Sequence, residues 1–175
     1  LYAGLGLRGG RDTVVQVSEK FAMPIVTSAS AIGIAAPNNH KNFMGSFGRL
    51  GTKPAYDVIN GADLVLFAGS NFPFARYLPK DLKVIQINNV MADMGKQIPV
   101  EMGIVADGKE FLQKLLESDL GREETPFLKA ARISKKNWDH WLDTRLRMTP
   151  KAFPRKVCFG QCGKTQRTMP FSGWM

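Results

Sequence analysis

The chemistry this sequence can offer begins at its amino end. Gly4, Gly6 and Gly9 satisfy the spacing G-x-G-x-x-G. Glycines so placed let backbone N–H groups approach a phosphate in front of a helix N-terminus. One match of this kind is weak, and a Gly-rich strand-to-helix turn without a ligand explains it equally. Four further groups have the same character: Thr27-Ser28-Ala29, Gly69-Ser70-Asn71-Phe72-Pro73-Phe74, Asn88-Asn89 and Asp107. They supply hydroxyls, amides, aromatic faces and one carboxylate, which is the chemistry of recognition rather than of bond cleavage. Arg49 sits in the Gly-rich stretch Gly45-Ser46-Phe47-Gly48-Arg49-Leu50-Gly51. A guanidinium on such a loop can grip a diphosphate or stack on a ring, or it can simply be solvated. Asn71, Phe72 and Pro73 suit a planar ligand, although loop aromatics also pack inward.

Catalytic machinery is not apparent. His40 and His140 are the only histidines, and each reads as a surface or helix residue. Cys158 and Cys162 are spaced C-x-x-x-C without companion ligands, which disfavours zinc. Neither a pair of carboxylates nor a Ser-His-Asp set stands out. Positions 22–30 hold no Asp or Glu, so the acid that would hold the ribose of a nicotinamide cofactor is missing and a dehydrogenase is disfavoured. The residues predict a nucleotide binder, with no catalytic and no metal-binding residue of its own.

The elements that must position these groups alternate along the first 120 residues. Leu1–Leu5 ends a strand, and Asp12–Phe21 is a helix with Val14, Val17 and Phe21 on one side, capped by Asp12. Pro24–Thr27 is a strand followed by a turn rich in Gly, Ala and Ser. Lys53–Ile59 is helical. Asp63–Ala68, Lys83–Ile87 and Met102–Val105 are strands without polar alternation, as burial on both faces of a parallel sheet requires. Gly108–Glu117 is an amphipathic helix. Repeated strand–turn–helix units predict an open, doubly wound, Rossmann-like α/β sheet of about six mainly parallel strands with helices on both faces. Such sheets bind ligands at the carboxyl ends of their strands, and each group named above follows a predicted strand.

The chain has 175 residues, 44% of them hydrophobic, which is the composition of a globular protein. A domain of about 150 residues buries roughly 70% of its unfolded surface, enough to need no disulfide or metal. No run of 18 apolar residues occurs, so no membrane span is expected. The net charge of +9 raises the question of nucleic acid. Its distribution answers against it. Residues 151–175 carry five basic residues and no acid, which leaves a surplus of only +4 in residues 1–150. A basic stripe interleaved with aromatics, the mark of a single-strand binder, is missing.

Taken together, GTKPAYD, ADLVLFAGSNFPFA, QIN and IVAD resemble the middle domain of the pyruvate oxidases, flavoproteins of the thiamine diphosphate-dependent enzyme family. The likeness covers residues 1–146, and GSNFPFA is its most specific segment; related architecture extends to acetolactate synthases and decarboxylases. The resemblance implies that this domain holds the ADP part of FAD. On that basis Gly4, Leu5 and Gly6 lie against the diphosphate and ribityl region, and Thr27 and Ser28 face the flavin end. Arg49 meets a phosphate or the ring, Asn71, Phe72 and Pro73 line the flavin loop, and Asn88, Asn89 and Asp107 surround the adenosine. Asn88 and Val90 stand where family members commonly carry Asp, and Ile32 where many carry Lys. Losing a carboxylate that accepts from a ribose hydroxyl weakens binding by about 1–3 kcal/mol. Thiamine diphosphate and Mg²⁺ would belong to other domains of a cytoplasmic, tetrameric parent that converts pyruvate, phosphate and oxygen to acetyl phosphate, carbon dioxide and hydrogen peroxide.

Three segments follow from this reading: a nucleotide-binding domain over 1–120, a hinge and linker helix over 121–150, and a basic tail over 151–175. The tail carries no periodicity and does not resemble the family. Disorder is expected there, and a shifted reading frame would account for its change of character. The sequence also reads as a piece of a longer protein. The competing reading is a structural middle domain of a related decarboxylase or acetolactate synthase, which packs between neighbours or binds ADP or NAD without redox chemistry.

Overall fold

A computed structural model describes residues 1–71 and 75–148. The expectations for Phe72, Pro73 and the 151–175 tail, including its disorder and its frame, lie outside the described residues. The chain divides into two compact units, Leu1–Asp139 and the remainder from His140. The first unit carries the whole sheet. Its strands are β1 (Tyr2–Ala3), β2 (Ile25–Thr27), β3 (Phe43–Ser46), β4 (Leu64–Ala68), β5 (Lys83–Asn88) and β6 (Met102–Val105). All pairings are parallel and the spatial order is β3-β2-β1-β4-β5-β6. That is the doubly wound order, in which the chain reverses its direction of travel across the sheet between β1 and β4. The sequence-predicted fold class is correct.

The helices are α1 (Arg11–Lys20), α2 (Lys53–Asn60), α3 (Gly108–Glu117) and α4 (Pro126–Met148). They cover both faces of the sheet, which explains the continuous apolar run of β4, whereas the edge strand β6 is exposed at Met102 and Val105 and not buried on both faces as its sequence suggests. On one face Val14 and Val17 of α1 and Leu112 of α3 pack with Ala3, Ile25, Ala68 and Ile87. On the other, Ala55, Val58 and Ile59 of α2 and Ala131 of α4 pack with Tyr2, Val26, Met44, Phe67 and Val84. Alternate residues of β1 to β5 therefore feed opposite cores, as a pleated strand dictates.

Two local expectations are corrected. Asp12 does not cap α1: the N-cap is Gly10, and Asp12 lies in the first turn with no capping hydrogen bond. A carboxylate there still interacts favourably with the helix dipole. The stretch from Gly45 is not all loop either, because Phe43–Ser46 forms the edge strand β3. Its register shifts against β2, and Gly45 adopts φ +101°. A four-residue strand broken by a glycine leaves no periodicity to read.

Two polar clamps tie helices together. Lys20 Nζ donates to the Leu116 carbonyl at 2.7 Å and to the Ser118 carbonyl, joining the carboxyl ends of α1 and α3. Lys20→Met, which keeps the aliphatic stem and strands both acceptors, is expected to destabilise the fold by about 1–2 kcal/mol. The denaturant midpoint measures this, and an unchanged midpoint would show the clamp to be idle. On the opposite face Asp57 of α2 accepts from Lys53 and from Ser134 of α4. Partial burial raises the carboxyl's pKa, but the two donors outweigh it and hold it below the ordinary value.

In the second unit, the described end of α4 is held by the Thr144 hydroxyl donating to the His140 carbonyl at 2.9 Å. The Arg145 guanidinium sits 5.5 Å from the Trp141 ring centroid, a cation–π distance. No helix among the described residues is long and apolar enough to cross a membrane.

Candidate functional site

The point where the sheet reverses is marked by a collision of backbones. At the carboxyl end of β1 the Gly4 N–H donates to the Ala68 carbonyl (2.8 Å) and the Gly6 N–H to the Gly69 carbonyl (2.9 Å). Gly69, after β4, has φ +63°. A Cβ at Gly4 would stand 2.0 Å from the Gly69 carbonyl oxygen, and one at Gly6 would stand 2.8 Å from the Gly69 Cα. The glycines are thus required for the contact between two strand ends. Their N–H groups are engaged by backbone, so the G-x-G pattern is explained here as a seam between β1 and β4. Gly9 has open space around it and a φ of +78°, as a turn glycine has.

Beside this seam lies a cleft of about 400 Å³. Leu5 and Gly6 line it from the β1 side, Ser28 and Ser30 from the β2 side, Gly69, Ser70 and Asn71 after β4, and Asn88, Asn89, Val90 and Asp93 after β5. Small-molecule sites fall in this range of size and place. The loops after four strands, separated by up to 88 residues of sequence, therefore share one opening.

The side chains around it are fixed by one another. The Asn88 amide donates to Asn71 Oδ1 at 2.5 Å, and Asn71 donates to Asp93 Oδ2 at 2.8 Å. The Val90 N–H donates to Asn88 Oδ1 at 3.0 Å. Gln86, fully buried in β5, donates to the Asp93 carbonyl at 3.2 Å and accepts from the Gly95 N–H at 2.9 Å. Ser28 and Ser30 hydroxyls lie 3.2 Å apart. Tyr2, beneath the seam, is hydrogen-bonded to Ser70; burial drives its phenol pKa up to about 12, with Ser70 opposing. Hydroxyls, amides and one carboxylate held in this way form a preorganised polar wall, and Leu5 and Val90 supply exposed apolar surface beside it.

Of the residues predicted from sequence, Leu5, Gly6, Ser28, Asn71, Asn88 and Asn89 line the cleft. Gly4 lies behind it in the seam. Thr27 is fully buried, and its Oγ1 is the one buried side-chain polar atom among the described residues with no hydrogen-bond partner. Asp107 caps α3, accepting from the Lys109 and Glu110 N–H groups at 2.8 and 3.1 Å. Arg49 is exposed in the loop between β3 and α2. Phe72 and Pro73 are not described. Sequence reasoning did not single out Ser30 and Asp93, named Gly69 and Ser70 only within a longer segment, and named Val90 only as a departure from the family. Gly69 and Ser70 open a segment already marked, so their inclusion was within reach. Asp93 was not, because only the 3-10 turn over Met91–Asp93 brings it back to the strand end.

Comparison with known proteins identifies the family of the domain. "Putative thiamine pyrophosphate-containing protein YdaP" of Bacillus subtilis is 35% identical over 138 residues, covering 79% of this chain and 24% of that protein. Pyruvate oxidase of Lactiplantibacillus plantarum is 32% identical over 146 residues, covering 81% and 24%. The large subunit of acetolactate synthase from Corynebacterium glutamicum is 29% identical over 163 residues, covering 89% and 24%. The chain thus spans about a quarter of the length of these curated relatives. Residues 1–115 match the family described as thiamine pyrophosphate enzyme, central domain, and over that span the chain belongs to it.

Proposed function

We propose that this chain is the central domain of a pyruvate oxidase and holds the ADP part of FAD at the carboxyl edge of its sheet. The observation that carries the reading is the single cleft beside the β1–β4 reversal, walled by the fixed Asn88–Asn71–Asp93 array. These residues fit an adenosine: the carboxylate and the serine hydroxyls can accept from ribose hydroxyls, the amides can donate and accept, and Leu5 and Val90 offer apolar surface to a base. Arg49 is the guanidinium proposed to reach the diphosphate, and Phe72 and Pro73 the residues proposed to meet the flavin. Bound FAD would supply two-electron redox chemistry. The chain's own part in this reading is to bind, to orient and to exclude water. In the parent enzyme, thiamine diphosphate and Mg²⁺ would be held by other domains, and the overall reaction would be oxygen-dependent conversion of pyruvate and phosphate to acetyl phosphate. Similarity to the pyruvate oxidase and the GSNFPFA segment support that choice over acetolactate synthase; the cytoplasm and a homo-oligomeric, tetrameric parent complete the reading.

The chain is expected to acquire an absorption band near about 450 nm on incubation with FAD and removal of excess cofactor. Thermal unfolding offers a second measure: ligand at about 100 times its dissociation constant should stabilise the fold by roughly 2.7 kcal/mol. Stabilisation by ADP with none by FAD would instead favour a non-redox nucleotide module. No response to either would reject the nucleotide reading.

A further inference from the structure

We propose that Asp93 sets the selectivity of the cleft, admitting a ribose with free hydroxyls and rejecting one that carries a 2′- or 3′-phosphate. This rests on the nucleotide reading of the cleft given above. Asp93 is the only charged residue among the described residues that line the cleft. A phosphate placed here would find no cation among the described lining residues. It would meet a carboxylate instead.

That carboxylate is also unable to swing away. Its side chain is only 19% exposed, Asn71 holds Oδ2 at 2.8 Å, and Gln86 holds the residue's own carbonyl at 3.2 Å. Asn71 is itself held by Asn88. Lys96 reaches Oδ1, but at 3.4 Å and with its side chain 62% exposed, so solvent and salt screen the pair and the negative charge persists toward the cleft. A carboxylate offers about four acceptor sites, so two partners leave capacity for hydroxyl donors of a ribose. A phosphomonoester brings a charge of about −1.5 to −2 at pH 7 and little to donate. Its rejection is therefore built into the wall through like-charge repulsion.

The test is calorimetric titration of the full 175-residue chain with AMP, adenosine 2′,5′-bisphosphate and adenosine 3′,5′-bisphosphate at one ionic strength, alongside FAD. The native chain is expected to bind AMP at least about tenfold more tightly than one or both bisphosphates. In Asp93→Asn, which keeps the shape and removes the charge, the gap should close to within about threefold as AMP weakens and the bisphosphate gains. Bisphosphates binding the native chain as tightly as AMP would overturn the proposal, and that comparison needs no variant. Persistence of the full gap in a folded Asp93→Asn chain would overturn it too. Binding of FAD and AMP without discrimination sinks this inference alone, whereas no binding of any of the four ligands sinks the cleft assignment with it.

Discussion

Gly4→Ala is expected to destabilise the domain by about 3 kcal/mol or more, far beyond the usual effect of adding a methyl group. The new Cβ would lie 2.0 Å from the Gly69 carbonyl oxygen, 2.5 Å from its carbonyl carbon and 2.6 Å from Ser70 Cβ. Two of these atoms are backbone, so no side chain can rotate away to make room. Relief requires β1 and β4 to part, which breaks the Gly4 N–H to Ala68 and Gly6 N–H to Gly69 hydrogen bonds. Gly69→Ala should be comparably severe, because its Cβ would meet Gly6 Cα at 2.8 Å and its φ of +63° is unfavourable for a side chain. Gly9→Ala is the control. It carries the same left-handed strain, at φ +78°, with nothing within 4 Å of the added carbon, so about 1 kcal/mol is expected. Denaturant unfolding of the three variants decides the matter. Equal losses at Gly69 and Gly9 would show that backbone freedom, not the close seam, selects Gly69, whereas Gly4 is extended at φ -91° and its loss reports the seam alone. Nucleotide affinity should fall with Gly4→Ala and survive Gly9→Ala, since only the former distorts the wall of the cleft.

The second large effect is expected from Phe67→Ala, about 3–5 kcal/mol. Phe67 is 1% exposed at the centre of the sheet and stacks on Tyr2 with ring centroids 4.2 Å apart. Truncation leaves a void beside a phenol whose pKa burial has raised to about 12. This gives the variant a second signature. The folded-state pKa lies above the ordinary value of about 10, so the folded state retains its proton where the unfolded state has lost it. Stability from this source is complete below about pH 10 and is lost as pH rises through about 12. In the native chain, ultraviolet titration should find one tyrosine ionising late, accompanied by alkaline loss of stability. In Phe67→Ala, water entering the void should bring that pKa back toward its ordinary value. A late-titrating tyrosine that persists in the variant would show that Phe67 does not maintain the dry environment.

Much of the architecture was legible because the physics that sets it is local. The run Leu64–Ala68 is apolar without alternation, and β5 sets Val84, Ile85 and Ile87 around a single Gln86, a pattern that suits strands covered on both faces. The α3 boundaries were readable residue for residue, since an amphipathic stripe marks that helix, although Asp107 before it was read as a ligand contact and is in fact its cap. β3 was not legible. Its four residues are held by pairing with β2 across a shifted register, and nothing in Phe43-Met44-Gly45-Ser46 announces that partner. Asp12 showed the reverse failure: the residue type was right for a cap, but the chain turns two residues earlier at Gly10.

The candidate site divides along the same line. The sequence by itself determined that hydroxyl and amide groups follow the strands, because strand ends are marked by their own composition. Only the tertiary structure decided which of those groups meet. The order β3-β2-β1-β4-β5-β6 brings Leu5, Ser28, Asn71 and Asn88 to one opening, whereas Asp107 is engaged locally as the cap of α3. It also supplied Asp93 through a turn of three residues and gave Gly4 its meaning through Gly69, 65 positions away. Contacts across such separations depend on the crossing of strands around a reversal, and no local pattern of residue types encodes where two backbones will touch.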